Sequence, residues 1–472
     1  MNYNKVDQKV LDQLKNICGE ENVVVDKEKL VDYTHDEYPW FEETYYPEVV
    51  VKPQNEKQVS EILKLANQNL IPVTPRGAAT GLAGGCVPLY GGIVLSLENM
   101  NKILEIDKQN FVVVAEAGVP LMKFFKEIEQ EGLFFPPHPG DESAMIGGVI
   151  ATNAGGARAV KYGVIRNFVR GIEVVLPNGE IITCGGKLVK NSAGYSLLNL
   201  FIGSEGTLGV ITKGILSVVS PPKSMVTLVV PFESIELAIK TVPEVLKTGV
   251  VPMAIEFLEL QPIILTEKLL NKTWPTKQGN AHLMFIIDAQ NDDVALNSAE
   301  TIAAVCEQNN ALEVFVADTP DKQQNVLEIR SHIYESLKNM TVDILDVAVP
   351  SAKIPDLVNA IHEIEQKYDV WLPTYGHAGD GNVHTHYMKA KFHNGELVPV
   401  EETKWKTQAE EVITQILKTG ISLGGTITGE HGVGLIKKKY MSLMYPPSYI
   451  SLLKEIKRLF DPNNILNPGK II

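Results

Sequence analysis

Cysteine is scarce and dispersed. Cys18, Cys86, Cys184 and Cys306 stand far apart with no C-x-x-C pair, which excludes an iron–sulfur cluster or a thiolate zinc site within the chain. Scattered single thiols suit a reducing compartment. No run of about eighteen or more apolar residues occurs, so no spanning helix is expected. The opening Met1-Asn2-Tyr3-Asn4 lacks the apolar stretch of a secretory leader. A basic excess is missing too. The formal net charge of −14 at pH 7 argues against a general nucleic-acid binder. These absences lead to the expectation of a soluble, cytoplasmic protein with no nucleic-acid partner and no transmembrane segment. Two phosphate-binding signatures are also lacking. Neither G-x-G-x-x-G opening a βαβ unit nor G-x-x-x-x-G-K-[ST] is present, so Rossmann and Walker binding do not follow.

What is present suits a multidomain globular protein. The 472 residues are 44% hydrophobic and 21% charged, and that length calls for two or three domains. An amphipathic helix fits residues 6–17, and an aromatic-rich stretch follows, giving an N-terminal arm over 1–46. From Pro47 a helix at 56–69 and short strands punctuated by glycine describe an α+β domain over 47–222. Its Pro-Asn-Gly turn joins strands at 171–176 and 180–183 as a hairpin. Beyond Pro221-Pro222 the rhythm becomes strand, helix, strand. Strands are expected at 226–230, 255–258, 282–288, 312–316, 344–349 and 370–375. Helices are expected at 235–247, 293–309, 322–337 and 354–368. This is a second α+β domain, over 223–425, built on one main sheet. A helix at 401–418 leads into a glycine-rich stretch, and another near 448–459 lies in a C-terminal segment over 426–472. No solenoid repeat or low-complexity tract is seen.

Chemistry-bearing residues cluster in the second half. Tyr375-Gly-His-Ala-Gly-Asp-Gly-Asn-Val-His-Thr-His386 holds three histidines and an aspartate among glycines, a composition that suits close approach to a bound group. His377 and His384 are the expected ligands of a divalent metal. Their odd spacing would put them on opposite faces of one strand, so the Gly-Asp-Gly between them must break it. Glu430 in Thr428-Gly-Glu-His-Gly-Val-Gly434 would be a third ligand, with His431 beside it. Four of the ten histidines fall in these two motifs.

The first half carries four glycine-rich stretches, Pro75–Gly85, Pro136–Gly156, Lys161–Gly163 and Gly203–Gly209. Exposed N–H groups in such turns bind anions. In order and placement, Arg76-Gly-Ala-Ala-Thr-Gly81, Pro139-Gly140, Asn153-Ala-Gly-Gly156 and Gly203-Ser-Glu-Gly-Thr-Leu-Gly209 resemble the FAD-binding domain of the vanillyl-alcohol oxidase family. The D-2-hydroxyacid dehydrogenase branch, with its glycolate oxidase and D-lactate dehydrogenase members, is most similar. The resemblance spans about Pro47 to Pro468. It implies a PCMH-type FAD-binding domain, an α+β substrate (cap) domain with a mainly antiparallel sheet, and a C-terminal return to the FAD domain.

The resemblance also assigns roles. Arg76, Gly77, Ala78, Ala79, Thr80 and Gly81 would wrap the FAD pyrophosphate through main-chain N–H groups. Pro139, Gly140, Ser143, Gly147, Gly148, Asn153 and Gly155 would follow the cofactor toward the flavin ring, joined by Tyr162 and Gly163. Glu205, Gly206 and Val210 would lie on the adenine and ribose side, and Asn467 near the ring. Residues 75–85 contain no histidine, so FAD would be held non-covalently. His138 stands where typical members carry an aspartate. Metal binding falls to His377, His384 and Glu430, with zinc, iron or manganese as the ion, and proton abstraction to His431. Arg330 would hold the substrate carboxylate, and His386, at an asparagine position of the D-2-hydroxyglutarate branch, is a candidate substrate contact. Tyr334 and Ile344 replace a threonine and a lysine of that branch, which favours D-lactate or glycolate over D-2-hydroxyglutarate. Electrons would leave to a separate acceptor, an electron-transferring flavoprotein, an iron–sulfur subunit or a quinone-linked protein, and a homodimer is compatible with this. The competing readings are a metal-dependent hydrolase, a non-catalytic flavin-binding subunit and a nucleotide-sugar reductase of the same fold.

Overall fold

The computed structural model describes residues 2–472, which form two compact units. The first gathers the chain up to Gly155, Val164–Pro221 and Glu430–Ile472, and the second holds Gly156–Gly163 and Pro222–Gly429.

In the first unit a four-stranded sheet runs in the order Val23–Val24, Val49–Val51, Ile93–Ser96, Val73–Arg76. Its last two pairings are parallel. Parallel strands need cover on both faces, and nearly every residue of these three is buried. Helices Gln8–Cys18 and Glu56–Gln68 supply cover, placing Val10, Leu14, Ile62 and Leu63 in one core with Val49, Val73 and Ile93. The N-cap side chains of Asp7 and Asn55 accept the first N–H groups of those helices. The N-terminal residues are integral to this core, since Val23 and Val24 pair with Val51 and Val50. A second sheet, antiparallel throughout, runs Ile103–Asp107, Val112–Glu116, Val210–Ser217, Val169–Val175, Ile181–Gly185. Phe124, Ile146, Ile150 and Phe201 pack on it from the helices around them. The C-terminal segment closes an edge of the first sheet. The Val73 N–H donates to the Ile465 carbonyl and the Asn467 N–H to the Val73 carbonyl, both at 2.7 Å.

The second unit is built on a seven-stranded antiparallel sheet. Its order is Phe315–Ala317, Ser224–Phe232, Ala281–Ala289, Ala254–Glu259, Thr374–His377, Asn382–Met388, Thr341–Ala348. The helices Ile235–Lys247 and Ile354–Tyr368 have the bounds their periodicity predicts. Elsewhere local chemistry moves the boundaries. The strand expected at 312–316 forms only over Phe315–Ala317. The strand expected at 370–375 begins at Thr374, immediately after Pro373, which has no N–H to give a ladder. The helix expected at 322–337 is two, Pro320–Ser331 and Ile333–Lys338. The break falls at His332, where the Glu328 carbonyl is shared by the His332 N–H at 3.1 Å, the Ser331 hydroxyl at 3.2 Å and the His332 ring Nδ1 at 2.9 Å.

Candidate functional site

The histidine-rich stretch is a β-hairpin. Thr374–His377 and Asn382–Met388 pair with Tyr375 opposite His384 and His377 opposite Asn382. Reversal of the chain resolves the parity problem. Across this register, same-face residues on the two strands are always an odd number apart, so His377 and His384 share a face with Tyr375 and His386. Glycine is required where backbones close in. At Gly381 φ is +92° and a Cβ would stand 1.9 Å from the Val349 carbonyl oxygen, and at Gly376 a Cβ would stand 2.2 Å from the Asn382 oxygen.

The flanking strands complete a buried polar face. Glu256 lies opposite His377 and Asp346 opposite His384, and both carboxylates are fully buried. Glu256 Oε1 is 2.7 Å from His377 Nδ1. That bond places the ring proton on Nδ1 and turns the Nε2 lone pair to His384, whose Nε2 is 3.5 Å away. Two imidazole ligands at about 2.1 Å from one tetrahedral ion would stand about 3.4 Å apart. Asn382, in the same row, has its Oδ1 buried with no hydrogen-bond partner among the described residues. The donor set fits a divalent ion.

Arg330 secures Glu256 from the other side. Its Nε donates to Glu256 Oε2 at 2.7 Å and its Nη2 pairs with the same oxygen. Its guanidinium carbon lies 5.1 Å from the centre of the Tyr375 ring. Burial pushes the Glu256 pKa up, but Arg330 and His377 outweigh burial and hold it below its ordinary value. Because Nε and Nη2 face Glu256, the Nη1 edge is what Arg330 can offer a ligand.

His386 sits on the same face of the hairpin. The residue is fully buried, with Nδ1 2.8 Å from Thr341 Oγ1 and Nε2 3.0 Å from the Tyr375 hydroxyl. Both ring nitrogens are engaged by protein side chains. Asp346 Oδ2 accepts the Thr428 hydroxyl at 2.8 Å and the Gly429 N–H at 2.9 Å. It therefore anchors the Thr428-Gly429 segment to its own strand.

The first unit holds the phosphate-type turns. Among the described residues, none of the N–H groups of Gly77, Ala78, Ala79, Thr80 and Gly81 donates a hydrogen bond. A run of N–H donors without acceptors is what an anion needs. The Arg76 guanidinium is not part of it, donating instead to the Asp32 and His35 carbonyls at 2.7 Å each. Ser204 Oγ and Asn467 Oδ1 are buried polar atoms with no hydrogen-bond partner among the described residues. These features fit FAD.

The other expected cofactor residues divide. At Gly148 a Cβ would meet nothing within 4 Å, whereas at Gly147 it would meet the Ala117 Cβ at 2.6 Å, so Gly147 serves packing. Gly140 and Ser143 are exposed beside Pro139. Asn153, at φ 51°, accepts the Arg166 N–H. A Cβ on Gly155 would come within 2.5 Å of Glu430 Oε2. Gly206 turns at φ +67° against Pro75. Val210 is buried in the core of the first sheet. The Glu205 carboxylate accepts the Val433 and Gly434 N–H groups at 2.8 and 2.7 Å and braces the segment after His431. Tyr162 and Gly163 belong to the second unit, where the phenol donates to Asp288 at 2.8 Å. His138 stacks on Phe125 with ring centres 5.6 Å apart and pairs with Glu142.

Sequence reasoning missed Glu256 and the positioning role of Asp346. The signal for Glu256 was its place as a carboxylate within Ala254-Ile-Glu-Phe-Leu258, a strand otherwise apolar in this stretch.

Comparison with known proteins agrees with both units. Residues 221–471 match the family described as FAD linked oxidases, C-terminal domain, and residues 47–185 match the FAD binding domain. The chain is 43% identical over 424 residues to the D-lactate dehydrogenase of Archaeoglobus fulgidus, covering 90% of this chain and 91% of that protein. It is 37% identical over 465 residues to the glycolate oxidase subunit GlcD of Bacillus subtilis, covering 98% and 96%. The structure of p-cresol methylhydroxylase superposes with a TM-score of 0.77 at 18% identity, over 98% of this chain and 96% of that one. That last likeness concerns the fold.

Proposed function

The chain belongs to the FAD-linked oxidase family, and from that premise we propose that it oxidises a small D-2-hydroxyacid, D-lactate or glycolate, to the 2-oxoacid. Bound FAD supplies the acceptor for the hydride leaving Cα, and a divalent ion, zinc, iron or manganese, polarises the substrate hydroxyl. Gly77 to Gly81 hold the cofactor's pyrophosphate through their N–H groups, without a covalent bond. His377 and His384 are the imidazole ligands of the ion and Glu430 the carboxylate ligand. Glu256 keeps the His377 proton on Nδ1, so Nε2 remains a donor to metal. Arg330 meets the substrate carboxylate with its Nη1 edge. His431 takes the hydroxyl proton.

The observation that carries this reading is the facing pair of Nε2 atoms, 3.5 Å apart, with a buried carboxylate behind one of them. Ile344, buried opposite His386, offers no cation to a second carboxylate, which favours lactate or glycolate over D-2-hydroxyglutarate. Electrons pass on to a separate protein, an electron-transferring flavoprotein or an iron–sulfur subunit. The free cysteines support a reducing, cytoplasmic setting. Among the described residues no helix is long and apolar enough to cross a membrane.

Anaerobic mixing of the FAD-loaded protein with D-lactate, L-lactate, glycolate and D-2-hydroxyglutarate tests the reading. D-lactate or glycolate should bleach the flavin, chelation should slow bleaching, and restored metal should recover it. A protein that stays colourless after incubation with FAD would overturn the assignment.

A further inference from the structure

Tyr375 and His386 lie outside the roles assigned so far, yet they form one buried chain of hydrogen bonds with Thr341. Thr341 Oγ1 is 2.9 Å from the Leu337 carbonyl, which can only accept. The threonine proton therefore points to that carbonyl, and Oγ1 accepts from His386 Nδ1–H at 2.8 Å. That leaves the His386 Nε2 lone pair to accept the Tyr375 hydroxyl proton at 3.0 Å. The Thr341 hydroxyl also lies 3.4 Å from Met388 Sδ, a weaker acceptor than the Leu337 carbonyl, and the bond to His386 holds the Tyr375 hydroxyl.

The Tyr375 ring in turn lies against the Arg330 guanidinium, 5.1 Å from its carbon. Arg330 is thus held on an edge by Glu256 and on a face by Tyr375. A long side chain with several rotatable bonds normally loses conformational freedom when it grips a ligand. Here that freedom is already removed, and the Nη1 edge is presented in one orientation.

We propose that Tyr375 and His386 are positioning residues for carboxylate recognition, acting through Arg330. The inference rests on the functional reading above, in which Arg330 meets the substrate carboxylate. It assigns the pair no part in hydride or proton transfer. Its signature is a weaker hold on any carboxylate ligand with an intact rate once the ligand is bound.

The test uses FAD-loaded, metal-replete full-length protein. Tyr375→Phe removes one hydroxyl and keeps the ring, and His386→Phe removes the acceptor. Two quantities are read, KM and kcat for flavin reduction by D-lactate, and the Kd for pyruvate from flavin absorbance. Loss of one net hydrogen bond predicts a rise of about five- to tenfold in KM and Kd, with kcat within about twofold of the parent. His386→Gln, whose Oε1 can accept the tyrosine proton, should recover most of the loss. Bound metal, measured by elemental analysis, should match the parent in all three. Unchanged KM and Kd in Tyr375→Phe would overturn the inference, as would a fall in kcat with KM unchanged. Should His386→Phe fail to fold, Tyr375→Phe and His386→Gln still decide. A parent whose flavin is reduced by none of the four hydroxyacids refutes the functional reading, and this inference with it. Reduction of the parent with indifferent variants refutes the inference alone.

Discussion

A carboxylate as deeply buried as Glu256 is tolerated only with strong partners, and it has two, the Arg330 guanidinium and the His377 Nδ1–H. Removing one member of such a set leaves the other charge stranded, at a cost of about 3–5 kcal/mol. Glu256→Gln should therefore lower stability by about 3 kcal/mol in denaturant titration. Loss of the carboxylate behind His377 should also weaken metal binding by about 10–100-fold, read by competition with a chelator. The two losses should occur together. The depressed pKa adds a pH signature of known sign. Ionised Glu256 contributes stability above its unfolded value near 4.5, and that contribution disappears as pH falls through the lower folded value. His431 is a different kind of residue. His431→Ala should slow flavin reduction by D-lactate by about 10²–10⁴-fold while bound metal stays at the parent level. A parent-like rate would remove it from the role of base.

At the scale of elements, the 374–388 hairpin shows what the sequence disclosed and what it withheld. The glycines and histidines were visible as a ligand-shaped stretch, and the need for a break between His377 and His384 followed from parity alone. The returning strand, Asn382–Met388, was not foreseen. Its polar residues Asn382, His384, Thr385 and His386 are all buried, so the apolar alternation that marks a strand is missing. Glu256 and Asp346 escaped notice as site residues because their partners are remote in sequence: Arg330 on a helix and Thr428 in a loop, 74 and 82 positions away, and His377 and His384 across the sheet. Register decides such pairings, and register is not a local property. The split of the 322–337 helix is similar, since it coincides with side-chain contacts of Ser331 and His332 on the Glu328 carbonyl that periodicity does not reveal. The turn itself is testable. Gly381→Ala forces a Cβ against the Val349 carbonyl in a backbone with φ +92°. It should cost at least about 1–3 kcal/mol in unfolding free energy and reduce bound metal in the same preparation.

At the scale of the molecule, the fall in glycine density near Pro221-Pro222 was visible in the sequence, and the second compact unit takes up the chain at Pro222. The sequence did not disclose how firmly the N-terminal residues join the first unit. That depends on single polar groups, chiefly the Arg76 bonds to Asp32 and His35 and the carboxylate of Asp36. Asp36 accepts the Tyr38 and Gly85 N–H groups at 3.2 and 3.0 Å. Burial is the largest influence on it. The backbone donors and Arg76 oppose burial only in part, and the pKa is pushed up from 3.8 to about 7. Lys470 nearby is pushed down to about 8, again chiefly by burial. Between pH 4 and 7 the folded protein then keeps a proton on Asp36 that the unfolded chain has lost, so stability must fall as pH rises across that window. Full development of the effect is on the order of a few kcal/mol. Denaturant midpoints of the parent and of Asp36→Asn, measured from pH 4.5 to 7.5, isolate the contribution because the other titrating groups are common to both. The parent should show the steeper decline. Parallel pH profiles would mean that Asp36 is ionised throughout in the folded protein, with Arg76 and Lys470 neutralising it more completely than its burial suggests.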